Sequence, residues 1–513
     1  MASRTISDLS DLSNTALVAY AAVSALIFVI SYWSLFKRKP FDEKAPPVVR
    51  SDWPIVGALG FWTARRDWWN AVIAQTGSPD FSFHIGKHRL VGVNSDEGRK
   101  VFFESKEVGF AEGYAVLFGQ APDFADSNAK PNSEGGSNRF FNRRMMSLLK
   151  NDRFAVALPT LLSDVRGRLN DLAVESPGIT DPFDSIYKLV YLLTQRAVGA
   201  NEIARDRKLM DTTLSLFEMI EQSAKPYQVI IPWLPSLALV KRFYAGMRMY
   251  MIFERLVKAR QKGGTREDDP LQYLIDEGDD TKTIISFVVG ALFAGQLNSG
   301  INAAWVLCYL AVNPYWLNEV RKEVRATTDK YCPGNEPLID RLGKLPLEAW
   351  EQSFPLIDLC LRDSIRLQAH GTGFRKNMSG RPLKLGDKEL PADGFLVYHF
   401  GNHHLNPELF RDPHKWDPSR YFPDRAEDKK DKYAFIGWGA GRHPCLGMRF
   451  AKLEQNIITA FFCTMFDFEL VDSQGRKMED TVKVNTNNYQ AARPDTNMFI
   501  KYTLRQDAIM APQ

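Results

Sequence analysis

Cysteine and histidine are scarce in this chain, with five and eight copies among 513 residues. The cysteines (Cys308, Cys332, Cys360, Cys445, Cys463) are odd in number and scattered, and no Cys-x-x-Cys pair occurs. A disulfide framework and a structural zinc site are thereby excluded, and a reducing compartment is implied. An excess of one charge is lacking too. The 65 Lys and Arg stand against 61 Asp and Glu, a net charge of +4, so no global basic field exists for nucleic acid. Internal repeats are absent as well. What is plentiful is apolar surface. With 45% hydrophobic, 12% aromatic and 25% charged residues, the chain builds a large core and is neither disordered nor many-spanning.

Long uncharged runs are rare, and one lies at the front. Thr15 to Phe36 carries no charge and then meets Lys37-Arg38-Lys39. Such a run crosses a hydrocarbon core of about 30 Å as a helix. Tyr32 and Trp33 fall at an interfacial aromatic position. The run exceeds the roughly 7–15 apolar residues of a cleaved signal, and its basic cluster follows rather than precedes it. The reading is a single N-terminal anchor within residues 1–36, then one large domain from 37 to 513. The positive-inside rule places that domain in the cytosol.

Beyond a stiff Lys44-Ala45-Pro46-Pro47 linker, Phe81 to Asn94 reads as a hairpin about Gly86-Lys87, and Gly119 to Asn138 as a long polar loop. Helical periodicity dominates from there to about Arg325. Arg381 to Phe400 reads as strands about Gly386-Asp387. The pattern predicts a mainly α fold with small β-sheets. Thr283 to Val312 is a long apolar helix whose Gln296, Asn298, Ser299 and Asn302 mark it as buried rather than membrane-spanning. Pro226 to Val240, apolar but broken by three prolines, is read as core, with a loop dipping into a bilayer as the alternative.

The densest chemistry lies in Phe435-Ile436-Gly437-Trp438-Gly439-Ala440-Gly441-Arg442-His443-Pro444-Cys445-Leu446-Gly447. Glycines permit a non-standard path, and Cys445 then opens a helix whose N-terminus favours thiolate. With no partner ligands nearby, a haem with one axial thiolate fits better than zinc. This segment resembles the haem-binding signature of the cytochrome P-450 superfamily, Phe-x-x-Gly-x-x-x-Cys-x-Gly. Trp438 stands in the Phe position, and Gly441, Cys445 and Gly447 match. Asp363-Ser364-Ile365-Arg366 resembles the family's Glu-x-x-Arg helix with a shorter acid. Trp416-Asp417-Pro418-Ser419-Arg420-Tyr421 resembles the segment whose arginine joins that pair, and Trp53-Pro54-Ile55-Val56-Gly57 the entry after the anchor.

The resemblance implies the superfamily's fold, haem b held by Cys445, and a structural trio of Asp363, Arg366 and Arg420. The superfamily likeness implies His443 as a ligand of a haem propionate, and likeness to sterol-demethylase-like members adds Arg375 and Arg144. His403-His404 is a loop pair rather than a metal site, since adjacent residues point apart. The activity implied is oxidation of a hydrophobic small molecule with O2 and electrons from NADPH through a reductase. That reductase would meet Arg442, Arg449 and Lys452. The style is that of fungal microsomal enzymes of secondary metabolism, on the endoplasmic reticulum membrane.

One departure leaves alternatives open. Where family oxygenases carry Ala/Gly-Gly-x-Asp/Glu-Thr, this chain has Ala294-Gly295-Gln296-Leu297-Asn298-Ser299. Gly295 and Asn298 become the candidate oxygen-side residues, Asn298 ordering water. Relatives with this departure include isomerases or lyases that rearrange peroxide substrates without a reductase; the chain also bears some resemblance to prostacyclin-synthase-like members. A haem-binding protein without turnover is the remaining alternative.

Overall fold

The computed structural model describes residues 18–26, 37–50, 53–117, 136–175, 178–231, 234–488 and 490–506. The helices that build the site are, in chain order, α1 (Asp96–Glu104), α2 (Gly136–Leu148), α3 (Asn151–Glu175), α4 (Pro182–Val198), α5 (Arg207–Gln222), α6 (Leu237–Gln261), α7 (Thr281–Val312), α8 (Pro314–Tyr331), α9 (Pro355–Gln368) and α10 (Met448–Met465). Local chemistry sets their ends. The Ser95 hydroxyl accepts from the Gly98 N–H to start α1, and Asp280 accepts from the N–H groups of Lys282 and Thr283 to start α7. Pro314 and Pro355 each open a helix at a position that has no use for an N–H.

The strands are few and short. One mixed sheet has the order β1 (Phe81–Ile85), β2 (His88–Gly92), β8 (Phe395–His399), β5 (Thr372–Asn377), β3 (Val108–Gly109). The expected hairpin is its outer pair, with Phe81 opposite Gly92 and Gly86 at φ +55° in the turn. A second expected hairpin pairs β6 (Leu383–Leu385) with β7 (Lys388–Leu390). A further sheet joins β4 (Ile179–Thr180), β11 (Phe466–Val471) and β12 (Phe499–Leu504). The mainly α fold with small sheets is as expected.

α7 is the spine. Ile301 to Leu310 is buried without interruption, and a Cβ on Gly300 would lie 2.5 Å from the Tyr187 ring, so glycine there lets α4 close on α7. Among the described residues α7 is the helix long and apolar enough to cross a membrane, but it lies in the main hydrophobic cluster. Gln296 and Asn302 find internal partners, as expected of a core helix. Most of the N-terminal anchor lies outside the described residues. The described part, 18–26, is helical, with Val18, Tyr20, Val23 and Leu26 exposed.

Two expectations change. The polar loop lies largely outside the described residues, yet its last residues already belong to α2. The stretch from Pro226 to Val240 is not simply core. Gln228 and Val229 are buried, whereas Leu234, Leu237 and Val240 are exposed, Leu237 to 80%. Prolines broke the periodicity that would have separated the two halves.

Candidate active site

Glycine geometry shapes the cysteine loop. β9 (Gly439–Ala440) and β10 (His443–Pro444) form a two-rung hairpin, with Gly439 at φ +74° and Gly441 at φ +62°. A Cβ on Gly441 would lie 2.2 Å from the Phe103 carbonyl oxygen, to which the Arg442 N–H donates at 2.9 Å. The hairpin is thus stapled to the end of α1. From there the Cys445 N–H donates to the Trp438 carbonyl at 2.7 Å. Among the five cysteines Cys445 alone is exposed, while Cys308, Cys360 and Cys463 are buried. Desolvation by the walls around its sulfur raises the Cys445 thiol, against N–H groups of Gly447 and Met448 that favour thiolate. The helix start alone does not ionise it. A metal cation would complete the deprotonation.

Behind the loop lies the ion-pair core. Arg366 Nε donates to Asp363 Oδ1 at 2.6 Å, with both side chains 0% exposed. The Asp417 N–H and the Tyr421 hydroxyl donate to the same carboxylate at 2.6 and 2.9 Å. Arg420 stands 3.7 Å from Asp363 but 3.0 Å from Glu427, so its nearer acid lies outside the expected trio. Glu427 is buried and also binds Arg425 at 2.6 Å. A buried acid inside a charged run carries no sequence signal. His404, likewise buried, accepts the Ile436 N–H on Nε2 at 3.0 Å and stacks on Phe435, which ties the same loop down. Its neighbour His403 lies against Arg99 and Asp431, so the pair shares no site.

The three residues expected at the propionates separate into two groups. Arg375, on β5, is buried without any carboxylate among its hydrogen-bond partners. One Nη donates to the Phe374 carbonyl at 2.8 Å, its Nε has no partner, and burial lowers its pKa to about 10. Its guanidinium lies 4.9 Å from the Phe110 ring centroid, and the His443 ring stacks on that same ring at 5.3 Å. Burial and the charges of Arg375 and Arg442 hold His443 at about 4. An orphaned buried cation beside an imidazole is a cradle for an anion, and the carboxylates of a haem fit it. Arg144 does not join them. It binds Asp279 at 2.9 and 2.8 Å and also Glu277, so its charge is already spent on two acids that bracket the turn before α7. The sequence reading saw the basic residue but not the acids 133 and 135 positions away.

On α7, Ala294 and Asn298, one turn apart, are exposed on a helix otherwise largely buried. The turn is braced from three sides. Gln296 Nε2 donates to the Tyr187 carbonyl at 2.9 Å, Asn302 Nδ2 to the Asn298 carbonyl at 2.9 Å, and Gln455 Nε2 to the Ser299 carbonyl at 3.1 Å. The Asn298 amide is left facing open space. At Gly295 an added Cβ would meet the Thr194 methyl at 3.5 Å, ordinary contact, so its neighbours do not demand glycine. Two of the three cations expected to meet a reductase are also committed elsewhere. Arg449 pairs with Glu351 at 2.6 Å and Lys452 with Asp358 at 2.8 Å, which leaves Arg442 exposed.

A cysteine on a glycine hairpin, with an anion cradle at Arg375 and His443, is what a haem-thiolate enzyme would require. Comparison with known proteins agrees. The family model described as Cytochrome P450 matches residues 46–492. The chain is 33% identical to cytochrome P450 monooxygenase AacuE of Aspergillus aculeatus, over 95% of this chain and 98% of that one. It is 33% identical to monooxygenase nsrP of Aspergillus novofumigatus, over 91% and 92%. Obtusifoliol 14-alpha demethylase of Triticum aestivum is 28% identical over 57% of this chain and 64% of its own. Among solved structures, retinoic acid bound cyanobacterial CYP120A1 superposes with a TM-score of 0.69, over 90% of this chain and 99% of that one, at 20% identity. The chain belongs to the cytochrome P450 family and is an oxidoreductase of its monooxygenase class.

Proposed function

We propose that this enzyme inserts oxygen into a hydrophobic small molecule of fungal secondary metabolism, with O2 and with electrons passed from NADPH by a reductase. The observation that carries the reading is the exposed Cys445 thiol, with the unpaired buried Arg375 close to His443 two residues before it. Cys445 would hold haem b through its thiolate, and Arg375 and His443 would take its propionates. The haem supplies activation of O2. The chain's own part on the opposite side is played by Asn298, whose amide, held by the braces on its turn, orders the water that delivers protons. Ala294 leaves room for substrate one turn earlier.

The relatives named as monooxygenases favour this over peroxide rearrangement. Arg442 remains for an acidic reductase, and Arg143, Lys150 and Arg153 add charge around a cleft of about 390 Å³. The Arg449 side chain, reaching Asn151 and lying 4.9 Å from the Phe154 ring, joins that cleft's end of α3 to the cysteine helix. The front run acts as a single membrane anchor on the endoplasmic reticulum, with the catalytic domain cytosolic. Leu237, Val240, Tyr244 and Met247 repeat at helical spacing on the exposed face of α6 and rest on the same bilayer.

The test is twofold. The reduced carbonyl complex should absorb at the thiolate-specific position, and Cys445→Ala should lose that band while keeping its helical circular dichroism. Turnover should require NADPH, reductase and O2. Product formed anaerobically from a hydroperoxide or endoperoxide, without reductase, would overturn the monooxygenase reading in favour of an isomerase.

A further inference from the structure

Glu454 is a carboxylate that the site has not used. It is 1% exposed, and neither of its oxygens completes a hydrogen bond. Among the described residues no other carboxylate has both oxygens buried in this way. It sits on α10, nine residues beyond Cys445, where the next residue, Gln455, reaches the Ser299 carbonyl. That turn of α10 therefore packs on the turn of α7 that carries Asn298. Burial holds the carboxyl far above its ordinary range and outweighs the Ser299 side chain, which pulls the other way. An ionised carboxylate without a cation in such a place is costly, whereas a neutral acid keeps an O–H to donate.

We propose that Glu454 is a neutral acid that donates its O–H to Ser299 Oγ and thereby positions the Asn298 turn on the cysteine helix. The acid that α7 lacks at Leu297 is then present nearby, but it acts as a fixed donor and passes no proton on. Together with the Gln455 bond it gives one stretch of α7 two ties to α10. The two faces of the haem site are held in register by residues that touch neither haem nor substrate. Glu454 is thus a positioning residue, and its effect on catalysis rests on the monooxygenase reading above.

Infrared difference spectra tell this role from the others. Wild type minus Glu454→Gln should show a protonated-carboxyl band that persists between about pH 6 and 9. Ser299→Ala should shift that band upward by removing its acceptor. No band, or a band that Ser299→Ala leaves in place, would overturn the pairing whether or not the enzyme turns over. In reductase-driven turnover Glu454→Gln, still a neutral donor, should keep peroxide leakage at the wild-type level. Glu454→Leu and Ser299→Ala should raise leakage several-fold at unchanged thiolate band. If Glu454→Leu fails to load haem, Ser299→Ala carries this arm alone. Leakage as high in Glu454→Gln as in Ser299→Ala would make Glu454 a proton donor and refute the positioning role.

Discussion

Replacing Asp363 by alanine removes a carboxylate that is 0% exposed and serves several donors at once. Arg366 Nε, the Asp417 N–H and the Tyr421 hydroxyl lie 2.6, 2.6 and 2.9 Å from it. Arg366 would keep the carbonyls of His404, Pro413 and Lys415, at 3.1, 2.5 and 3.0 Å, but its charge would have no counter-ion in a place without solvent. Breaking one side of such a buried pair costs about 3–5 kcal/mol, of the order of a whole domain's stability margin. Those carbonyls belong to the chain that leads to the cysteine loop, so haem retention should fall together with stability. The assay is urea unfolding of purified protein, with the yield of carbonyl complex per mole of chain. Asp363→Ala should lose most of that yield, and Asp363→Glu should keep the charge and recover much of it. A variant Asp363→Ala within about 1 kcal/mol of wild type, with full haem, would show the pair to be dispensable and refute the reasoning.

Other outcomes are expected from the same geometry. Glu427→Ala, which strips Arg420 and Arg425 of their shared acid, should destabilise by a similar 3–5 kcal/mol in urea unfolding. Arg375→Ala should leave the haem-free chain as stable or more so, since an unpaired buried cation is removed. The same variant should weaken haem retention roughly ten- to a hundredfold, the worth of a charge-assisted bond of about 1.5–3 kcal/mol, measured by transfer to apomyoglobin. Glu323 gives a pH signature. Burial pushes its carboxyl up to about 7, although the N–H groups of Leu356 and Ile357 pull the other way. Because the folded value is the raised one, its contribution to stability is complete below the unfolded value of about 4.3 and is lost as pH rises through 7. Glu323→Gln should flatten that part of the stability profile, and an unchanged slope between those values would refute the assignment.

Much of this protein was legible in the sequence because the features were local. A helix period, two glycine hairpins and a cysteine at a helix start depend on residues within a few positions of one another. The α7 span, the β1–β2 pair and the loop before Cys445 therefore stand where the pattern placed them. Asp363 and Arg366 were legible for the same reason, three residues apart on one helix. Tertiary structure alone decided which distant charges meet. It gave Arg144 to Asp279 and Glu277, Arg449 to Glu351, and Lys452 to Asp358, and it left Arg375 without an acid. It also buried Glu427 and Glu454, which composition places among ordinary surface acids. The physical reason is the same each time. A sequence states that a side chain is charged, whereas whether that charge is paired, solvated or stranded depends on what the fold brings within about 4 Å of it.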